Sequence, residues 1–326
     1  MNDKKGKNIV ILGPTSSGKT GLAVKLAHKF NGEIVSADSR QVYKGMDIGT
    51  GKDLKDYCFK ISRNKKQKTN KFKIQNSKFV KIPYHLIDVV SPKQQFDLAK
   101  YQKLALKAIE DILSRGKVPI IAGGSGLYLQ AVVDNYNLMP VKPDKKLRVK
   151  LEEKTARELF VILKRLDPKK AKVLNNSEKN NKRRLVRLIE VKSQKSKVKS
   201  EECKNFEYSY LLIGLSCSKE ILYKRIYKRL IHRLEKEGMV NEVKRLKKQG
   251  LSWKRLESFG LEYKYVSLYL QGKLGYDEMV EKLNTAIRQY AKRQMTWFRR
   301  WQKMGAKIRW VKNRGEAERL AREFLK

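Results

Sequence analysis

Apolar positions in this chain fall into short unbroken runs, set between stretches where they recur at helical spacing. Lys7–Leu12 (KNIVIL), Glu33–Ala37 (EIVSA), Lys117–Ala122 (KVPIIA) and Tyr210–Leu215 (YLLIGL) have the length and β-branched content of buried strands. A helix is predicted over Gly21–Phe30, with Leu22, Val24, Leu26 and Ala27 apolar, and another through Leu127–Val133. Strands that alternate with helices imply a parallel sheet, whose ligands sit at the carboxyl ends of the strands. Long amphipathic helices are predicted through Ile221–Leu246 and Tyr276–Trp301, then a strand at Lys307–Val311 (KIRWV) and a terminal helix. No internal repeat is visible.

Two stretches break this rhythm. Between Tyr57 and Pro83 the chain is lysine-rich, and alternating Phe72, Ile74, Phe79 and Ile82 suggest a basic hairpin or an equally basic solvated loop. From about Pro140 the strands stop. Leu147 to Glu201 reads as helices rich in Lys and Arg, ending in the low-complexity run KSQKSKVKSEECK. The expected organisation is an α/β core in two parts, 1–138 and 206–326, with an all-helical domain inserted at 139–205.

Charge changes the picture most. Lys and Arg number 76 against 33 Asp and Glu, a formal +43. Such self-repulsion is relieved by a polyanion, so a nucleic acid is the natural partner, although a lysine-rich proteome that raises the charge of every protein in the cell is the blander explanation. No stretch approaches the ~20 apolar residues of a membrane span. The short apolar run before Gly13, Ile9–Leu12, falls short of a signal peptide's run of ~7–15, so a cytoplasmic location is expected. Cys58, Cys203 and Cys217 include no CxxC pair and read as isolated reduced thiols; with only three histidines, a His-rich metal centre is not expected.

Gly13-Pro14-Thr15-Ser16-Ser17-Gly18-Lys19-Thr20 matches G-x-x-x-x-G-K-[ST] between a predicted strand and helix, which is the context that gives this P-loop motif meaning. Its glycines admit a phosphate close to the backbone, where successive N–H groups and the helix dipole favour negative charge. Lys19 would neutralise phosphate oxygens, and the Thr20 hydroxyl is a candidate Mg²⁺ ligand. The apolar run ending in Asp that a hydrolysing ATPase uses for its metal is missing: Lys117–Ala122 leads into Gly-Gly-Ser-Gly. The second strand does end in acid, at Asp38, which suits a metal ligand, a sugar-binding carboxylate, a base or a helix cap. The fold class read from these features is α/β, a P-loop NTPase-like parallel-sheet core with the helical insertion.

Six segments in order then resemble the tRNA dimethylallyltransferase (tRNA isopentenyltransferase) family: GPTSSGKT at Gly13–Thr20, ADSRQVYKGMDIGTGK at Ala37–Lys52, YHLIDVVSP at Tyr84–Pro92, GGSGLY at Gly123–Tyr128, RLVRLIEV at Arg184–Val191 and RQYAKRQMTWFRRW at Arg288–Trp301. The resemblance spans nearly the whole chain. It implies transfer of a dimethylallyl group from dimethylallyl diphosphate to N6 of the adenosine 3′ of the anticodon, with the P-loop holding the donor's diphosphate. It also implies that Asp38 is the base, that Arg229 stabilises the leaving group, and that Ser125, where the family usually has threonine, reaches the diphosphate or the amine. The Arg229 match needs one extra residue before Gly238, so Arg225 and Arg233 stay in contention. By the same resemblance Asp38, Ser39, Arg40, Gln41 and Ser125 meet the flipped base, and Arg148, Arg183, Arg184 and Arg187 clamp the anticodon stem-loop. Asn181 stands where the family often has Asp. On the C-terminal helix, Arg288, Lys292 and Arg299 are candidates for RNA backbone contact, whereas Trp297 and Trp301 read as core. The expected cofactor is Mg²⁺ and the expected partners are tRNA and the isoprenoid donor, with no membrane and no obligate protein partner. A P-loop nucleoside or small-molecule kinase and a non-catalytic RNA-binding protein are the rival readings.

Overall fold

The computed structural model describes residues 6–60, 79–138, 141, 143–194 and 208–326. The chain divides into two compact units, one from Met1–Tyr136 with Glu207–Lys326, the other Asn137–Phe206. The first stretch of the larger unit carries β1 (Gly6–Leu12), α1 (Lys19–Lys29), β2 (Gly32–Ser36), a 3-10 turn (Leu54–Tyr57), β3 (Cys58–Lys60), β4 (Phe79–Lys81), β5 (Tyr84–His85), α2 (Leu98–Ser114), β6 (Val118–Gly123) and α3 (Gly126–Val133). The smaller unit holds α4 (Lys145–Glu152), α5 (Ala156–Leu166), α6 (Pro168–Lys172), α7 (Asn176–Lys179) and α8 (Lys182–Gln194). The larger unit resumes with β7 (Tyr208–Leu215), α9 (Lys219–Glu235), α10 (Met239–Lys248), α11 (Trp253–Glu257), α12 (Leu261–Leu270), α13 (Tyr276–Lys303), β8 (Ile308–Val311) and α14 (Arg314–Leu325).

Six strands form one sheet in the order β5-β2-β6-β1-β7-β8, with every pairing parallel. Successive side chains of a strand point to opposite faces, so β1 divides its apolar residues between two layers. Ile9 and Ile11 pack with Leu22 and Leu26 of α1 and with Ala317 and Ala321 of α14. Val10 and Leu12 pack on the other side with Tyr101, Ile109 and Ile112 of α2 and with Phe298 and Trp301 of α13. A third apolar cluster joins α9–α13 to Val42, Tyr43 and Met46, residues that follow β2.

The parallel sheet, the first helix and the long C-terminal helix lie where the hydrophobic pattern predicts them. Two differences have local causes. The predicted helix Ile221–Leu246 is two helices, because Gly238 takes φ 78°, a left-handed conformation that ends α9 and opens α10. Helix α2 was not predicted, although Asp97 caps it (its side chain accepts from the Lys100 N–H) and buried Tyr101, Ala105, Ile109 and Ile112 recur at helical spacing. Of the suggested basic hairpin, Cys58–Lys60 and Phe79–Lys81 pair antiparallel. Phe72 and Ile74 lie outside the described residues, as does Cys203.

The smaller unit has its own core, built from Leu151, Leu159, Leu163, Leu185 and Ile189 among others. Two reciprocal capping boxes, Thr155 with Glu158 and Asn175 with Glu178, start α5 and α7. Within it the fully buried Glu190 carboxylate accepts from the Arg148 guanidinium at 2.8 Å, from Arg187 at 2.6 Å and from the Asp144 N–H at 2.7 Å. Burial alone would raise this carboxyl; the two arginines and the Asp144 N–H outweigh it and hold it down at about 2.

Candidate active site

The carboxyl ends of β1, β2 and β6 meet at one cavity of about 570 Å³, within the 300–1,000 Å³ usual for small-molecule sites. Its wall takes Thr15, Ser16, Gly18, Lys19 and Thr20 from the turn between β1 and α1, and Asp38, Ser39, Arg40 and Gln41 from the segment after β2. Asp53, Asp56 and Tyr57 close one side, and Arg225, Arg229 and Arg233 enter from α9. Phe259, Leu261, Tyr263, Ile287 and Tyr290 supply apolar and aromatic surface.

The phosphate loop has the expected build. Gly13 at φ 152° and Gly18 at φ 91° bracket the turn, and a Cβ at Gly13 would lie 2.6 Å from the Leu215 carbonyl oxygen. Ser16 is left-handed at φ 61°, which is strained for a residue with a Cβ. The hydroxyls of Ser16 and Ser17 are buried with no hydrogen-bond partner, a deficit that oxygen atoms of a bound anion would relieve. Lys19 Nζ donates to the Pro14 carbonyl at 2.6 Å. Burial first, then the Arg229 guanidinium, lower this ammonium from 10.5 to about 7, while Asp38 pulls it upward.

A residue that sequence reasoning misses holds the loop in place. Gln294 of α13, 6% exposed, accepts from the Thr15 N–H at 2.8 Å and donates to the Gly124 carbonyl at 2.8 Å. One amide thus ties the P-loop to the Gly-Gly-Ser-Gly turn. Only its place in RQYAKRQMTWFRRW pointed toward it.

The three arginines left open by the sequence separate clearly. Arg229 donates to the Thr15 hydroxyl of the P-loop. Arg233 is 3% exposed and pairs with Asp53 at 3.3 Å, and Arg225 stands exposed at the cavity wall. Burial and the neighbouring Arg233 lower the Arg229 guanidinium to about 10, against Glu262, Asp53 and Asp38. Glu262, also in the wall, is pushed up by burial against the pull of Arg233.

Asp38 lines the cavity, and its Oδ1 accepts from the Arg40 N–H at 2.8 Å. Ser125 stands behind that wall. Its Oγ accepts from the Ser39 N–H at 3.1 Å and hydrogen-bonds with Tyr290, and it makes no side-chain cap for α3. The Gln41 amide is engaged within the protein, accepting from the Ser36 hydroxyl at 3.0 Å and donating to the Gly51 carbonyl at 3.1 Å.

In the smaller unit Arg148 and Arg187 face Glu190, Arg184 pairs with Glu178 at 3.1 Å, and Arg183 is exposed. Asn181 retains the capping role of an acid, its side chain accepting from the Arg184 N–H. On α13, Phe298 and Trp301 are buried, and the Trp301 Nε1–H donates to Asp134. Trp297 packs over Gly126, where a Cβ would come within 2.3 Å of its ring. Lys292 and Arg299 are exposed, and Arg288 lies over the Tyr223 ring at 4.9 Å.

Among the described residues no helix is long and apolar enough to cross a membrane. Comparison with known proteins gives a consistent result. The sequence is 44% identical over 304 residues to tRNA dimethylallyltransferase 2 of Bacteroides fragilis, covering 93% of this chain and 92% of that one. The fold is similar to the full-length tRNA isopentenylpyrophosphate transferase of Bacillus halodurans, with TM-score 0.66, 32% identity, and 99% and 97% of the two chains covered. It is also similar to a eukaryotic dimethylallyltransferase acting on tRNA, with TM-score 0.69 and 26% identity over 98% of this chain and 77% of that one. Residues 7–66 match the isopentenyl transferase family and residues 66–301 the IPP transferase family. A P-loop, an acid after the second strand and a basic helix reaching back to the loop thus sit in a chain that belongs to the IPP transferase family.

Proposed function

We propose that this chain transfers a dimethylallyl group from dimethylallyl diphosphate to N6 of an adenosine in tRNA, at the position 3′ of the anticodon, and releases diphosphate. The observation that carries the reading is that one cavity is lined both by the phosphate loop with Arg229 and by Asp38. The anion-binding side and the proton-accepting side of a substitution therefore face the same space. In the reaction the N6–C1 bond forms as the C1–O bond to diphosphate breaks, and the N6 proton passes to a carboxylate.

Asp38 is the base in this reading. An exocyclic amine is a weak nucleophile, and losing its proton as the bond forms lowers the barrier. Lys19 and Arg229 receive the charge that develops on the departing diphosphate, in a cavity where burial strengthens their fields. Ser125 acts by holding Ser39, next to the base, and Tyr290. The aromatic and aliphatic wall of Phe259, Ile287 and Tyr290 suits a hydrocarbon donor and keeps water from the allylic carbon.

The residues fit Mg²⁺ in one specific manner. Among the described residues no three His, Cys, Asp or Glu side chains are placed to hold a metal by themselves. The Thr20 hydroxyl in the cavity wall would instead share the ion with phosphate oxygens and water, as Mg²⁺ sites commonly do. When bound, the ion would neutralise part of the diphosphate charge.

Extrusion of the base from a stacked loop is required before N6 reaches the cavity. Ser39, Arg40 and Gln41 then stand on the acceptor's side, and Arg183, with the outer edges of Arg148, Arg184 and Arg187, offers charge to the stem-loop phosphates. The test is transfer of labelled dimethylallyl groups to unmodified tRNA or to AMP, with wild type and Asp38→Asn. Label is expected on tRNA alone, with transfer lost and tRNA binding kept in the variant. Label on AMP would refute the substrate, and an active variant would refute the base.

A further inference from the structure

The acceptor side of the cavity is the segment Asp38–Asp53, a long excursion with no helix or strand until the 3-10 turn at Leu54. Irregular backbone of this length does not keep a shape by itself, because each free residue adds about 1–2 kcal/mol of conformational entropy to be overcome. Two buried charges hold it. Neither lines the cavity.

The first anchor lies within the segment. Lys52 is 4% exposed, and its ammonium donates to the Tyr43 carbonyl at 2.9 Å, to Asp47 at 2.8 Å and to Asp88 at 2.5 Å. All three of its protons are used, so the segment closes into a ring against the bend after β5, where Asp88 takes φ 57°.

The second anchor comes from far along the sequence. Glu242 of α10 is 4% exposed. Its Oε2 accepts from the Asp47 N–H at 2.7 Å and the Ile48 N–H at 2.8 Å. Its Oε1 accepts from the Gly49 N–H at 3.0 Å and the Tyr263 hydroxyl at 2.7 Å. Three consecutive amides and a phenol thus converge on one carboxylate, satisfying the four acceptor positions that an ionised carboxylate offers. The segment is pressed close there, since a Cβ on Gly49 would lie 2.7 Å from the Tyr263 ring. Gly49, Thr50, Gly51 and Tyr263, next to this junction, all line the cavity.

We infer that Glu242 is a positioning residue for the acceptor: a latch that fixes the Asp47–Gly51 wall against α10, and through the Gln41–Gly51 hydrogen bond sets the face on which the incoming adenosine is read. The latch lies on the acceptor side only. The P-loop is held separately, by Gln294, and Arg229 reaches it from α9. Loss of the latch therefore weakens tRNA recognition and leaves the anion site intact. This inference rests on the reading of the cavity as the meeting place of donor and tRNA.

Glu242→Gln is the direct test, because an amide places its own NH₂ against at least one of the N–H or O–H donors. The expected result is a KM for unmodified tRNA raised about tenfold, kcat changed less than about threefold, and affinity for inorganic pyrophosphate within about twofold of wild type. Amide exchange at Asp47, Ile48 and Gly49 should accelerate at least about tenfold while β1 and β6 stay protected. Gly49→Ala approaches the same junction from the segment's side without altering a charge or the α10 core, and should give the same signature even if Glu242→Gln fails to fold.

Unchanged exchange at these three amides would overturn the latch. So would a parallel loss of pyrophosphate affinity, the mark of a residue that supports the whole fold. A wild-type protein that moved no prenyl group to tRNA would refute the reading of the cavity, and the exchange rates would still decide the latch.

Discussion

With no anion bound, Lys19 sits near half-charge at neutral pH, since burial and the Arg229 guanidinium bring it to about 7 while Asp38 pulls upward. A diphosphate in the loop supplies the missing counter-charge, so binding above neutrality must draw in a proton. At pH 8 a group titrating near 7 is only about one-tenth protonated, so binding takes up about 0.9 proton; at pH 6 the uptake is about 0.1. Asp38→Asn removes the upward pull. At pH 7 the uptake should therefore rise above about 0.5. The assay is calorimetric titration of each protein with inorganic pyrophosphate in two buffers of different ionisation heat. Pyrophosphate's own titration is common to both proteins and cancels in the difference. Equal uptake by the two, or less in the variant, would refute the argument. The sign for stability follows from the same shift. Between about 7 and 10.5 the folded, unliganded chain binds fewer protons than the unfolded one, so the Lys19 contribution makes the fold more stable as pH rises through that window.

Gln294→Leu orphans the buried Gly124 C=O and the part-buried Thr15 N–H; urea unfolding should show a loss of about 1–3 kcal/mol, with weakened pyrophosphate binding. Glu190→Gln leaves two arginines, both partly in solvent, facing a neutral amide, and the helical unit should lose about 1–3 kcal/mol by circular dichroism. In the wild type the Glu190 contribution is fully present above about 4.5 and is lost as pH falls toward about 2; the variant should lack that step.

Much of this architecture could be read from the sequence because burial on both faces writes strands as plain apolar runs. Lys7–Leu12 and Lys117–Ala122 needed no tertiary knowledge, and Gly13–Thr20 carries its geometry in its glycines. The cavity's other walls were harder. Residues 38–53 take their shape from Lys52 and Glu242, and nothing in local spacing says that an acid 195 residues beyond Asp47 accepts its N–H. Gln294 was hidden for the same reason, since its partners lie 279 and 170 residues away. The choice among Arg225, Arg229 and Arg233 turned on which turn of α9 faces Thr15, a matter of helix placement that composition does not encode. The resemblance set Arg148 and Arg187 against the anticodon stem-loop, and only the fold shows the carboxylate they share.

The central strand of the sheet has neighbours from both halves of the chain, β6 on one side and β7 on the other. During synthesis, at about 5–20 residues per second, the P-loop emerges long before its supports. Until β7 arrives, one edge of β1 is an open template for pairing with another chain. The bonds from Gln294 to Thr15 and Gly124 close only when about nine-tenths of the chain has left the ribosome. Nascent or truncated forms therefore carry the signature motif without a competent anion site, and they are the species most in need of a chaperone.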